Sequence, residues 1–300
     1  MTDYHGILPL YKPRGMTSHD CVYKLRKLLN MKKIGHTGTL DPEVDGVLPM
    51  CIGRATKISE YLTAYPKSYD GVISLGTATA TEDQTGEIIE QKDVTQPVFR
   101  EEIESVFRKF TGEIEQQPPM YSAVKVKGKK LYEYAREGIE VERPVRNVTI
   151  YQLHLTDSEA YFEKEIPFSV DCSKGTYVRT LAVDIGRQLG YPAHLARLTR
   201  TRSGPFYLKE CYTFDRVERA VEENNVANIL SSIGFGLKFM ASWIVDDHTA
   251  NLVSNGAVLP KPKDIQNDIF TVYNRIGDCL AIYKQHPKKS GYIKPVKVLI

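Results

Sequence analysis

Eight residues, Gly35-His36-Thr37-Gly38-Thr39-Leu40-Asp41-Pro42, form the most informative stretch of this chain. Gly35 and Gly38 admit backbone angles closed to residues that carry a Cβ. Pro42 turns Asp41 away from the α region. A helix cannot run through such a segment, so Asp41 is expected on a rigid turn with its carboxylate aimed by the backbone. Gly, Asp, Thr and Pro also make ordinary surface turns, because they satisfy turn geometry. Whether this turn is a plain loop or a functional site is decided by what accompanies it downstream.

At 300 residues the chain exceeds one small core and fits one large and one small domain. Hydrophobic residues make up 42% and charged residues 26%, which fits a soluble globular protein. No apolar run reaches the ~18 residues of a membrane helix. The stretch from Met1 to Pro9 lacks a basic start followed by an apolar core, so no secretory signal is expected. Cys21, Cys51, Cys172, Cys211 and Cys279 are odd in number, scattered, and without Cys-x-x-Cys spacing or neighbouring His clusters. These are read as reduced thiols in a cytoplasmic protein, with no metal site and no disulfide framework. Net charge is only +3, but basic residues gather locally. Arg197, Arg200 and Arg202 form one stripe, and Lys125, Lys127, Lys129 and Lys130 crowd a Gly-containing turn. From Lys238 to Ile300, nine Lys/Arg face five Asp/Glu, a surplus of four. Such clusters attract phosphates even on a nearly neutral protein, or are simply solvated surface.

Helical and strand patterns alternate unevenly, without repeats. Ser18 is expected to cap a helix with Val22, Leu25 and Leu28 or Leu29 inward. A second helix is expected near Thr56 to Tyr65. A third carries Phe99, Ile103, Phe107 and Phe110 and stops at Gly112. Strands are expected over Tyr69 to Leu75, Val148 to Leu155, Phe162 to Cys172, and Leu195 to Tyr207 with a bend at Gly204-Pro205. Tyr177 to Leu189 reads as an amphipathic helix. Runs of strands between irregular helices predict an α+β fold with a mixed or mainly antiparallel sheet. Composition shifts near Ser231 to Ser242, which divides the chain into a domain of residues 1–240 and a small β-rich domain of 241–300.

Five motifs matter together: Lys12-Pro13-x-Gly15-x-Thr17-Ser18; the Asp41 segment with Asp45-Gly46-x-Leu48-Pro49; Lys67-Ser-Tyr69; Cys172-Ser-Lys-Gly175-Thr-Tyr177-Val-Arg179-Thr-Leu181; and His194-Leu195-x-x-Leu198-x-Arg200-x-x-x-Gly204-x-Phe206. In this order and spacing the chain resembles the TruB family of tRNA pseudouridine synthases over nearly its whole length. Residues 241–300 resemble the PUA module that accompanies such enzymes, on Asn255-Gly256-x-x-Leu259-Pro260 and short β-like runs. One departure is Val44-Asp45-Gly46, where many relatives carry Ala-Thr-Gly; the added acid has no role derivable from sequence.

The resemblance implies that the N1 glycosidic bond of a uridine in the tRNA T-loop, position 55, is broken, the base turned, and the bond remade through C5. No cofactor or metal is implied, and the sequence carries no P-loop or dinucleotide fingerprint. Asp41 is the implied catalytic carboxylate, since such groups stabilise or capture oxocarbenium-like centres. Arg179 is expected to pair with it and keep it ionised; a purely structural ion pair is compatible. Tyr69 offers a ring for the flipped pyrimidine and a phenol near C5, although a strand tyrosine is commonly core. Tyr177 and Leu198 are expected to line the base pocket. His36, five residues before Asp41, is expected to fill the gap left by base flipping. Lys12 is placed among the substrate-binding residues and, with Asp83, is expected in a supporting role. The expected partner is the T-arm of tRNA, with no membrane, no obligate protein partner and a monomeric state. Competing readings are a guide-RNA-dependent relative, an RNA-folding protein with a vestigial pocket, and a hydrolase pairing Asp41 with Asp45.

Overall fold

In the computed structural model, which describes residues 4–300, the chain forms two compact units. One holds the described residues up to Pro42, Val47–Thr63 and Ser203–Ile300; the other holds Glu43–Gly46 and Ala64–Arg202. Strands and helices are interleaved, as an α+β fold requires.

In the first unit, residues 47–52 of the strand Asp45–Ile52 have Gly6–Lys12 as one sheet neighbour and pair antiparallel with Ile34–His36. Neither long strand shows period-two alternation, because nearly every side chain is buried. Pro9 and Pro49 also make these runs look unlike strands, since proline cannot donate to a ladder. Their carbonyls still accept: Pro9 O from Tyr212 N at 2.8 Å, and Pro49 O from Thr37 N at 3.1 Å. The helix Ser18–Leu28 buries Cys21, Val22 and Leu25. Its cap is Thr17, not the expected Ser18: Thr17 Oγ1 accepts from Asp20 N at 3.0 Å, while Asp20 Oδ2 accepts from Thr17 N at 2.9 Å. The reciprocal bonds form a capping box, which releases Ser18 for another task. The expected helix near Thr56 begins as a 3-10 turn, Gly53–Ile58, before Ser59–Ala64.

The carboxyl-terminal part of this unit is β-rich. Ser242–Ile244, Ile269–Tyr273, Cys279–Gln285, Tyr292–Val298 and Leu259–Pro260 form a five-stranded sheet in that order. Val253, Phe270, Val272, Tyr283 and Ile293 are its fully enclosed centre. Lys57 Nζ donates to Val298 O at 2.5 Å, and Lys297 pairs with Glu60 at 3.1 Å, tying this sheet to the 53–64 segment.

The second unit is a mixed sheet. Asp45–Gly46 runs parallel to Thr199–Arg200 of the strand Ala193–Ser203. The order then continues through Lys67–Leu75, Glu165–Cys172, Arg146–Leu155 and Gly112–Gln116, the last three pairings antiparallel. Helices Arg100–Phe110 and Val178–Gln188 belong to it; Leu181, Ile185 and, at the cap, Leu189 are buried as their spacing predicts. Phe99 departs from expectation. It precedes its helix and is exposed, and Val106 takes the inward position instead. The bend at Gly204-Pro205 separates Ala193–Ser203 from Phe206–Tyr207. All five cysteines are buried free thiols, and burial pushes those of Cys51 and Cys172 up to about 12, which makes them unreactive.

Candidate active site

The turn bearing Asp41 is clamped on both sides by residues far away in sequence. Ser18 Oγ accepts from Leu40 N at 2.9 Å and donates to Leu40 O at 3.2 Å. Pro42 O, on the other side, accepts from Gly15 N at 2.9 Å and from Lys12 Nζ at 3.1 Å. Lys12 is 0% exposed, and its ammonium also donates to Pro13 O at 2.9 Å and Met16 O at 2.6 Å. Three carbonyls thus take up the three donors of an ammonium, which lowers the cost of burying it. Lys12 therefore positions the Asp41 turn. Gly38, at φ +90°, supplies the left-handed step that any other residue would take under strain. Asp41 itself is half-buried. His36 sits opposite Met50 in the short antiparallel pair, and the adjacent Thr37 is fully buried, bonded through both N and Oγ1 to Pro49 O.

The remaining candidates lie in the second unit. Tyr69 faces Val170 across the Lys67–Leu75 and Glu165–Cys172 pairing and is half-buried. Leu198, 7% exposed, lies on the neighbouring strand Ala193–Ser203. Two residues before Tyr69, Lys67 is buried with Nζ donating to Tyr65 O at 2.6 Å. Burial, reinforced by the Arg200 guanidinium, pushes its ammonium down to about 8. Tyr177 caps the helix Val178–Gln188, and the Gln116 amide holds it from both sides. Gln116 Oε1 accepts from Tyr177 N at 2.7 Å, and Gln116 Nε2 donates to Tyr177 O at 2.9 Å. A lone glutamine ending a strand gives no sequence signal of such a task.

Arg179, 7% exposed, donates to Thr81 O at 2.8 Å and Tyr121 O at 3.0 Å and lies 3.9 Å from Asp83 Oδ2. Asp83 is in turn fixed by Thr81 Oγ1 at 2.7 Å and by Thr85 N and Oγ1 at 3.0 and 2.6 Å. Asp45 accepts from Thr199 Oγ1 at 2.6 Å. The Arg197–Arg202 stripe is not one basic surface. Arg200 is 1% exposed, Arg202 bonds Ser68 and pairs with Asp171, and Arg197 pairs with Glu165.

The model for the N-terminal domain of TruB family pseudouridylate synthases matches residues 26–178, and that for the tRNA pseudouridylate synthase B C-terminal domain matches 179–233. The chain belongs to the TruB family of pseudouridylate synthases and is an isomerase. The curated tRNA pseudouridine synthase B of Bacillus licheniformis is 55% identical over 304 residues, spanning 99% of this chain and 98% of its own. That of Halalkalibacterium halodurans is 54% identical over 299 residues, with 99% and 98% covered. A solved Cbf5-Nop10-Gar1 complex matches at TM-score 0.75 and 26% identity, covering 99% of this chain and 85% of that chain. An H/ACA RNP bound to a substrate RNA containing 2′-deoxyuridine matches at TM-score 0.76 and 24% identity, a likeness of fold, over 99% of this chain and 85% of that chain.

Proposed function

We propose that this enzyme isomerises the T-loop uridine at position 55 of tRNA, with Asp41 as the carboxylate acting on the flipped nucleotide. The clamped turn carries this reading: Ser18 and Lys12 fix the residues on either side of Asp41, so the carboxylate is held in place before substrate arrives. Preorganisation of this kind is what a reaction dominated by positioning needs. The C1′–N1 bond breaks, the uracil turns, C1′–C5 forms, and the C5 proton leaves while N1 gains one. Tyr69 supports the base and assists at C5, Arg179 supplies the cation of the reaction, and Tyr177, Leu198 and His36 accommodate the extruded base and the gap it leaves. Residues 241–300 serve as a PUA-like RNA grip away from the reacting base. The enzyme acts as a cytoplasmic monomer, and its substrate is tRNA, the RNA in the names of its curated relatives.

The test is incubation of the purified chain with unmodified tRNA transcript, without guide RNA, followed by mapping of pseudouridine. Asp41→Asn should bind the transcript yet lose far more than the ~10²–10⁴-fold of an acid–base helper. Tyr69→Phe should bind but turn over poorly. A folded Asp41→Asn protein at near-normal single-turnover rate, or a wild-type product at another uridine, overturns the reading.

A further inference from the structure

Glu82 adopts a left-handed backbone, φ +64°, although it is not glycine. That conformation costs a side-chain-bearing residue roughly 1–2 kcal/mol, and it persists only where the surroundings hold it. The surroundings here are specific. Glu82 Oε2 accepts from Thr180 Oγ1 at 2.6 Å, and Glu82 O accepts from Leu195 N at 3.0 Å. Thr180 follows Arg179 in the helix Val178–Gln188 and is buried. Three consecutive residues therefore grip two: Thr81 O and Asp83 Oδ2 face the guanidinium of Arg179, and the side chain between them holds Thr180. The left-handed step at Glu82 lets all three face the same helix turn.

We propose that Glu82 is a positioning residue for Arg179: its carboxylate, through Thr180, locks the 81–83 segment against the helix and so fixes the guanidinium. The inference rests on Arg179 acting in the reaction, as read above. Other charged groups facing Glu82 are Arg143, Arg179 and Asp184. Burial pushes its carboxyl above the ordinary range, the Thr180 hydroxyl and the two arginines oppose this, and Asp184 adds to it. A cavity of about 370 Å³, lined by Glu82, Thr180, Asp184 and Arg143 among others, leaves room for a changed side chain at 82.

A purely structural glutamate and a positioning one respond oppositely to glycine. Glu82→Gly relieves the backbone strain and deletes the clasp. Its thermal midpoint should be unchanged or higher, while the single-turnover rate on saturating unmodified tRNA transcript falls by on the order of 10²-fold. Transcript affinity should stay within about threefold. Glu82→Gln, which still accepts from Thr180, should recover most of the rate, and Thr180→Val should lose it to a similar degree. Combining Glu82→Gly with Thr180→Val should cost no more than either alone, since both delete one interaction. Wild-type rate in Glu82→Gly, a loss confined to affinity, or additive losses overturn the proposal. Arg179→Ala is measured alongside: if it keeps the wild-type rate, the reading of Arg179 falls and this proposal with it. If Arg179→Ala is slow and Glu82→Gly is not, only the positioning role fails.

Discussion

Lys67 shows how one buried side chain reports on its surroundings. Its ammonium is pushed down to about 8 from 10.5, by burial first and then by Arg200. Below about pH 8 the amine is charged in both folded and unfolded chains. Between about 8 and 10.5 the folded chain has released a proton that the unfolded chain still holds. The unfolded state then binds more protons, so stability rises with pH across this window. Tyrosines and thiols titrate there too, so the informative quantity is a difference. The unfolding free energy of wild type minus Lys67→Met should climb by about 2–4 kcal/mol from pH 8 to 10.5 in urea titrations. A flat difference would mean that the amine is solvated. At this scale the sequence offered the candidates but not their holders. Asp41 and Arg179 stand in recognisable motifs. Gln116 and Glu82 do not, because a single amide or carboxylate becomes a clasp only through partners 61 and 98 residues away.

Among the elements, legibility followed burial geometry. The helix Val178–Gln188 is buried at eight of its eleven residues, yet Arg179, Thr180, Asp184, Arg187 and Gln188 interrupt its apolar residues at helical spacing, so the pattern was plain. The strands Gly6–Lys12 and Asp45–Ile52 are enclosed on both faces and interrupted by proline, so no alternation marked them. The parallel pairing of Asp45–Gly46 with Thr199–Arg200 is equally invisible in sequence, although one glycine makes it possible. Gly46 sits at φ +110°, and a Cβ there would lie 2.2 Å from Arg200 O. Gly46→Ala should therefore combine backbone strain with overpacking and destabilise by about 2–5 kcal/mol. Gly15→Ala is the control: φ is +80° but nothing lies within 4 Å, so only the ~1–2 kcal/mol backbone cost applies. Equal losses in urea unfolding for the two variants would show that the strands do not approach so closely.

At the scale of the whole molecule, charge and chain path set the expectations. The contacts of Lys57 with Val298 and Lys297 with Glu60 make truncation of the carboxyl-terminal sheet an unclean test of RNA gripping. Charge removal is cleaner. Lys284, Lys288 and Lys289 are exposed, and replacing all three with Ala should reduce the slope of log affinity against log salt by roughly 2–3. The single-turnover rate at saturating tRNA should be retained. An unchanged slope would place the RNA elsewhere. The same chain path governs assembly. Ile7 and Ser231 exchange backbone hydrogen bonds, and Tyr11 bonds Tyr212, so the strand Gly6–Lys12 is completed by residues made more than two hundred positions later. At roughly 5–20 residues per second of synthesis, that partner emerges on the order of 10–50 s after the strand itself. Until then that edge of the strand lacks its native partner, so the order of the segments leaves an apolar edge open to other chains for the whole interval.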